Sequence, residues 1–508
     1  MTVDTPAWVR EAVFYEVFVD RFARSGRVAA PGPLEPWDAA PTRLGIKGGD
    51  LFGLTERLPE LAELGVTALY LTPIFTSASN HRYHADDYLA VDPLLGGEAA
   101  WRALIEAAHG RGLRVILDGV FNHSGRGFWP FHHILETGLQ SPYLDWYHVD
   151  RGRLAGGGAL DAYPAPDSPN AGGGDLGRLG YEAWWGLPAL PKLNHGQPLV
   201  REYVMRVAEH WLRAGADGWR LDVPEEIHEP GFWQEFRARV KAVREDAYIV
   251  AEIWRPRPEL LGGDSFDAVM DYPLAEALLG FCAGSHLDRA MAATQADYAH
   301  YVQPLDAVGF AAELERLLGT YDPAVTAVQL NLLGSHDTPR FVTICGGDRT
   351  SLRLATLIQM TLPGAPCIYY GDEVGMEGGA DPANRGAFPT DRSAWDSDLR
   401  SFIGGAIALR RGSPTVRDRG SFRTVAAAGG CHVYLRGDSD QLVLVAVNAG
   451  DEGVALDVVV PELGDRRLES IRWPGWPDAW DGTIAATATG GTRLTLPARA
   501  GLVARARS

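Results

Sequence analysis

The sequence predicts a (β/α)8 TIM barrel with an inserted subdomain after the third strand and a C-terminal antiparallel β domain. Three observations carry that expectation. Between Val13 and Tyr370 one unit recurs: an amphipathic stretch, a glycine, a short apolar run, and a polar residue where the run ends. Residues 123–197 suspend the repeat, and after Ser413 the pattern turns to alternating strands. An amphipathic helix followed by a wholly apolar run is what a parallel strand buried on both faces requires.

The first strand is expected over Val13–Val19. Leu54, Leu58, Leu61 and Leu64 then share one helical face, Gly65 closes that helix, and Ala68–Thr72 reads as the second strand with Pro73 as its stop. Trp101, Leu104, Ile105 and Ala108 repeat the helix, Gly110 and Gly112 break it, and Val115-Ile116-Leu117 runs into Asp118. Val204, Val207 and Trp211 lead through Gly215 to the fourth strand, Gly218–Asp222. Less regular runs supply Tyr248–Glu252, Ala268–Asp271, Ala327–Asn331 and Cys367–Tyr370. Eight parallel strands joined by helices close into a barrel whose functional groups gather at the strands' C-terminal tips. An open doubly wound sheet would need a phosphate-binding turn, and the sequence offers none.

The catalytic barrel is therefore expected over residues 1–122 and 198–412. Residues 123–197, rich in Gly, Pro, Asp and aromatics, are too long for a structureless connection and are expected to form a subdomain over the site. Residues 413–508 are expected to form a β-sandwich from strands such as His432–Leu435 and Leu442–Val445, with turns at Gly437-Asp438 and Asn448-Ala449-Gly450.

Composition narrows the function. Acidic residues number 65 against 47 basic ones, and a net charge of −18 repels nucleic acid and anionic membranes while suiting a neutral substrate. No basic-then-apolar leader opens the chain, and no run approaches the roughly 18 apolar residues of a membrane span. Cys282, Cys345, Cys367 and Cys431 form no C-x-x-C pattern, so buried reduced thiols and a cytoplasmic location are expected. Gly172, Gly174 and Gly177 match G-x-G-x-x-G, but in a loop after Pro and Asn and not after a strand. Asn122-His123-Ser124 matches a glycosylation acceptor only formally, being placed at a strand tip. No Walker lysine motif, H-E-x-x-H or G-x-S-x-G elbow occurs.

The strand tips carry the chemistry. The third ends in Asp118-Gly-Val-Phe-Asn122-His123, the fourth in Arg220-Leu-Asp222, the fifth in Glu252, and the seventh leads into His336-Asp337. A lone carboxylate at a strand end is an ordinary cap or surface charge. Four at one barrel mouth cost stability through mutual repulsion unless something uses them. Converging carboxylates in an acidic chain with 15 Trp suit glycoside hydrolysis, in which one acid engages the anomeric carbon and another protonates the leaving oxygen. Metal-assisted hydrolysis draws on the same residue types.

The order of these motifs resembles the α-amylase family of retaining α-glucan enzymes, and within it the neopullulanase, cyclomaltodextrinase and maltogenic amylase branch. Asp118–His123, Gly218–Glu226, Glu252-Ile-Trp254 and Leu333–Asp337 resemble the family's four signatures, and Leu190-Pro-Lys-Leu-Asn194 resembles the extra signature of the branch. The resemblance implies Asp222 as nucleophile, Glu252 as general acid and then base, and Asp337 as holder of the distorted sugar's 2- and 3-hydroxyls. It implies that Arg220 keeps Asp222 ionised, that Asp118, His123 and His336 bind substrate, and that Tyr83 stacks on the sugar. Trp254 and Glu226 would shape the acceptor side, and Asp381 and Arg385 would contact donor-side sugars.

No cofactor is expected; calcium stays open, with Asn122 as its candidate ligand. The first barrel loop, Arg24–Gly49, lacks the Asn-Gly-Asp run that supplies calcium ligands in several relatives. Relatives in the branch usually carry an N-terminal β domain that takes part in dimerisation, whereas here the first strand already begins at Val13. Monomer and homodimer are both compatible with that. His84 and Glu225 stand where many relatives have Asp and Asn, close to the sugar subsites. The expected function is hydrolysis of α-1,4 bonds in maltooligosaccharides, cyclodextrins, pullulan or starch. Transglycosylases and trehalose- or sucrose-active isomerases use the same acids, and the Leu190–Asn194 signature leans toward hydrolysis. A non-catalytic sugar-binding scaffold would lack one of the three acids, all of which are present.

Overall fold

The computed structural model describes residues 3–165, 176–419, 421–437, 441–488 and 491–507. Eight parallel strands form the central sheet: β1 (Phe14–Val17), β2 (Ala68–Leu71), β3 (Arg114–Gly119), β4 (Gly218–Leu221), β5 (Tyr248–Ala251), β6 (Ala268–Val269), β7 (Leu330–Leu332) and β8 (Ala365–Tyr369). Their order runs β6-β5-β4-β3-β2-β1-β8-β7. The ends meet through a parallel bridge from Met270 to Leu330, where the Asp271 N–H donates to the Leu330 carbonyl at 2.9 Å. The sheet is thus a closed barrel, as the sequence predicts.

Alternation within the apolar runs sorts the side chains into two layers. Phe14, Tyr70, Ile116, Tyr248, Val250, Met270 and Leu330 fill the barrel interior, while Tyr15, Val17, Leu69, Val115, Trp219 and Ile249 pack outward against the helices. The Leu51–Leu64 helix illustrates the outer layer. Asp50 caps it by accepting from the Gly53 N–H, and its five leucines are buried. Gly65 ends it at φ +103°, where an added Cβ would lie 2.6 Å from Ile407. β7 starts three residues later than the repeat suggests, because Asp322 caps a helical turn over Pro323–Thr326 that takes up Ala327.

The described parts of 123–197, residues 123–165 and 176–197, double back on the barrel mouth. They hold short helices, Trp129–Thr137, Arg151–Ala155 and Leu176–Leu179, tied together by bridges His123–Lys192, Tyr147–Leu193, Val149–Tyr181 and Ala183–Pro191. Gly177 lies in the last of these helices; Gly172 and Gly174 fall outside the described residues.

The C-terminal strands are β9 (Phe422–Ala428), β10 (Cys431–Gly437), β11 (Leu442–Asn448), β12 (Val454–Val458), β13 (Arg467–Ile471), β14 (Thr483–Ala486), β15 (Thr492–Leu496) and β16 (Ala500–Arg507). They make an antiparallel five-stranded sheet, β9-β10-β11-β16-β13, and a three-stranded one, β12-β15-β14. Val433, Leu444, Leu494 and Leu502 pack between the sheets, while Tyr434, Val445 and Val503 join the barrel's outer core. Two buried arginines fasten this junction. Arg410 donates to the Met360, Leu362 and Gly364 carbonyls and Arg436 to that of Thr361, satisfying the last turn of the Arg349–Thr361 helix. Of the Gly437-Asp438 turn, Asp438 lies outside the described residues. All four cysteines are buried and free, and no helix among the described residues is long and apolar enough to cross a membrane.

Candidate active site

One buried guanidinium organises the barrel mouth. Arg220 sits in β4 with no exposed surface, two residues before Asp222 and on the same face of the strand. Its Nη1 lies 3.0 Å from Asp118 Oδ1 and 3.0 Å from Asp222 Oδ1, and its Nη2 lies 3.0 Å from Glu252 Oε2. The β3, β4 and β5 tips therefore meet on a single cation. Asp118 is a correction to the expected sugar contacts. Its side chain is fully buried, and both oxygens are engaged by Arg220 and by the Tyr70 and Tyr83 hydroxyls, which donate at 2.6 and 2.8 Å. It braces Arg220 instead of facing the cleft.

Glu252 Oε2 also accepts the Val223 N–H at 3.1 Å, and Oε1 accepts the Trp254 indole N–H at 3.1 Å. Val223 makes its bond from φ +36°, a left-handed conformation that a β-branched residue adopts only under strain of about 1–3 kcal/mol. Burial raises the Asp222 carboxyl well above the usual range, and the neighbouring Glu252 charge raises it further against the pull of Arg220. Burial likewise raises Glu252, with Arg220 opposing and the Asp337 charge adding. Arg220 thus favours the ionised form of both acids, while burial and their mutual repulsion oppose it.

The opposite wall has the reverse electrostatics. Burial disfavours charge on both His336 and Asp337, yet their mutual attraction at 3.1 Å, helped by Glu16 on the imidazole and by Arg385 and Arg220 on the carboxylate, raises the first and lowers the second. His336 Nδ1 donates to Glu16 at 2.6 Å and Nε2 donates to the Tyr83 hydroxyl, and the His336 and Tyr83 rings stack with centroids 5.2 Å apart. Arg82, the residue before Tyr83, is again left-handed at φ +61° and is pinned to Asp92 at 3.0 Å. Arg385, expected at the donor-side sugars, directs its guanidinium to Asp337 at 3.4 Å, Asp381 at 3.1 Å and the His336 carbonyl at 2.8 Å, so it steadies Asp337. Asp381 itself remains exposed.

His123 is buried, its ring neutral because burial pushes it down to about 3 against a contact with the Tyr83 backbone, and its Nε2 makes no well-formed hydrogen bond within the protein. A buried nitrogen so placed is a ready contact for a ligand hydroxyl. Trp254 stacks on Tyr272 at 3.6 Å, and Glu226 pairs with Lys192 at 3.1 Å. Lys192, Glu16, Tyr70 and Val223 are the contributors missing from the sequence-derived site. Glu16 had a signal, a carboxylate inside an apolar strand; Lys192 lay in the branch signature and Val223 in the Gly218–Glu226 signature, while Tyr70 had none.

Calcium takes amide and main-chain carbonyl oxygens as well as carboxylates. Asn122 Oδ1 is buried without a partner, but the described residues hold no group of three or more His, Cys, Asp or Glu able to ligate a metal. In the first barrel loop the buried Lys47 ammonium occupies the equivalent of a cation cage, 2.5 and 2.6 Å from the Pro36 and Ala39 carbonyls and 3.2 Å from Glu35.

Replacing Arg220 with Met should cost about 3–5 kcal/mol of folding stability, because Asp118 would stay buried without its cation. Denaturant unfolding measures this, and a loss below about 1 kcal/mol would contradict the bracing role.

The chain matches the alpha amylase catalytic domain over residues 16–402. It is 38% identical to a cyclomaltodextrinase of Geobacillus thermopakistaniensis over 90% of this chain and 72% of that protein. It is also 38% identical to neopullulanase 2 of Thermoactinomyces vulgaris over 98% of this chain and 78% of that one. Among solved structures, the debranching enzyme of Nostoc punctiforme superimposes with a TM-score of 0.86 at 41% identity, over 99% of this chain and 100% of its own.

Proposed function

This chain belongs to the alpha-amylase family of glycoside hydrolases, and from that premise we propose that it cleaves α-1,4 bonds of maltooligosaccharides, cyclodextrins, pullulan or starch with retention of configuration. The observation that supports this best is the pairing of Asp222 and Glu252 on one guanidinium, each 3.0 Å from Arg220. Two carboxyls held on one guanidinium are near neighbours, an arrangement that supports direct attack by one of them on the sugar.

In this reading the pair's single proton resides on Glu252 in the reactive form. Asp222 attacks the anomeric carbon as Glu252 protonates the departing glycosidic oxygen, giving a β-glycosyl-enzyme. Glu252, now ionised, takes a proton from water or an acceptor hydroxyl, which displaces Asp222 and restores the α configuration. Asp337, held ionised by His336 and Arg385, binds the sugar's 2- and 3-hydroxyls; His123 bonds another hydroxyl, Tyr83 stacks on the sugar's face, and His336, with both ring nitrogens engaged by Glu16, Tyr83 and Asp337, orients Asp337 instead of bonding the sugar as the resemblance implies. Trp254 and the Lys192–Glu226 pair border the acceptor side, near Glu225. The chain takes a neutral glucan, in keeping with its net charge of −18, and not nucleic acid or membrane.

Product analysis on maltotriose, β-cyclodextrin, pullulan, starch, sucrose and maltose tests the substrate assignment. Maltose and glucose from maltotriose, maltooligosaccharides from β-cyclodextrin and starch, and panose or isopanose from pullulan are expected. Maltotriose from pullulan would mean α-1,6 cleavage instead, and trehalose from maltose would overturn hydrolysis as the main reaction.

A single proton on the pair predicts a bell-shaped dependence of kcat/KM on pH. Activity should rise as the doubly protonated pair loses its first proton and fall as it loses the second. Since burial raises both carboxyls, the alkaline limb should lie above the ordinary glutamate range. In Glu252→Gln that limb should vanish from the residual rate; its persistence would assign the proton elsewhere.

A further inference from the structure

Non-glycine residues with positive φ mark this molecule's working parts. Among the described residues there are four: Arg82 beside Tyr83, Val223 beside Asp222, Arg499 at the C-terminal junction, and Trp185. The first two serve the active site and the third donates to the Cys282 and Ala449 carbonyls. Trp185, at φ +51°, serves nothing already described.

Its surroundings point to a ligand. Trp185 is 77% exposed, the most open aromatic among the described residues. One face of its ring lies on Trp184 at 4.4 Å and 15°, and Trp184 in turn stacks on His123 at 4.9 Å and 10°. An aromatic ladder thus runs from the tip of β3 outward along the inserted segment, with its last face turned to solvent. Water is a poor partner for that face, and a left-handed backbone at Trp is not a conformation the chain adopts for lack of a better one. The same loop closes on itself, Trp184 N–H to the Leu190 carbonyl at 3.0 Å, and its Leu187–Leu190 stretch lines an open cavity of about 340 Å³ together with His84, Arg126 and Pro164. Arg126 lies 4.0 Å over the ring of Tyr163, which is 64% exposed. An apolar floor flanked by hydrogen-bonding groups and exposed rings is the chemistry that receives a pyranose, whose axial C–H face packs on an aromatic plane while its hydroxyls seek polar partners.

We infer that Trp185 and the adjoining Leu187–Leu190 cavity form an outlying glucan subsite, which holds a glucose unit of a long chain beyond those bound at the catalytic carboxyls. This deepens the proposed hydrolase function and rests on it. Its occupant is the same substrate, continued along the ladder from His123, so the subsite sets chain-length preference and takes no part in bond cleavage.

The test compares kcat and KM of the full-length protein on maltotriose and maltoheptaose for wild type, Trp185→Ala and Trp185→Phe. Ala should raise KM for maltoheptaose about tenfold, with kcat and both maltotriose constants unchanged, and Phe should restore most of the affinity by supplying a ring. Equal effects on both oligosaccharides, no effect on either, or a shift in association state by light scattering without a change in KM would each overturn the subsite. Should wild type cleave neither oligosaccharide, the hydrolase reading falls first and the subsite with it. Unchanged chain-length preference in an active enzyme removes the subsite alone.

Discussion

Replacing Asp222 with Asn is expected to lower turnover by about 10⁴ or more, over about 5 kcal/mol of transition-state stabilisation, while the protein stays folded. The amide matches the carboxylate in shape and removes a charge that burial and Glu252 already disfavour, so the native state has no reason to unravel. What it loses is the nucleophile. Asparagine cannot form the glycosyl ester, and the oxocarbenium-like transition state loses its nearest counter-charge. Steady-state rates on maltotriose, alongside thermal unfolding, measure both halves of the claim. A variant that keeps a tenth of the wild-type rate would remove Asp222 from the chemistry.

Glu252→Gln should lose about 10³ on maltotriose, within the range usual for general acid–base catalysis, and the loss should depend on the leaving group. α-Glucosyl fluoride departs without needing a proton, so formation of the glycosyl-enzyme should be nearly as fast as in wild type. Breakdown still needs a base to activate water, and the intermediate should accumulate. Azide, a nucleophile that needs no base, should then release it as an α-glycosyl azide. If fluoride is cleaved as poorly as maltotriose and azide does nothing, Glu252 is not the proton donor.

Much of this site can be read from the chain alone because a parallel barrel turns sequence order into geometry. Asp118, Arg220 and Glu252 lie far apart in sequence, yet short apolar strands ending in polar residues bring them to one mouth, and the structure joins them through Arg220. Side-chain direction is less legible. The end of β3 predicts that Asp118 is at the mouth but not that Tyr70 and Tyr83 seal it against solvent. Glu16 reads as one polar residue in a strand, and only the fold carries His336 to within 2.6 Å of it from a segment more than three hundred residues away. Backbone strain at Val223 and Trp185 is invisible to pattern, since neither Val nor Trp advertises a left-handed conformation. The burial of Lys47 in the first loop is not legible either, because two of its three oxygen partners are main-chain carbonyls.

The central claim, that Asp222 becomes covalently attached to the sugar while Glu252 shuttles the proton, is tested most directly by mass spectrometry of Glu252→Gln after brief exposure to α-glucosyl fluoride and digestion. The peptide that contains Asp222 should be heavier by one glucosyl residue. A glucosyl group on any other peptide, or unlabelled protein despite fluoride release, would contradict it.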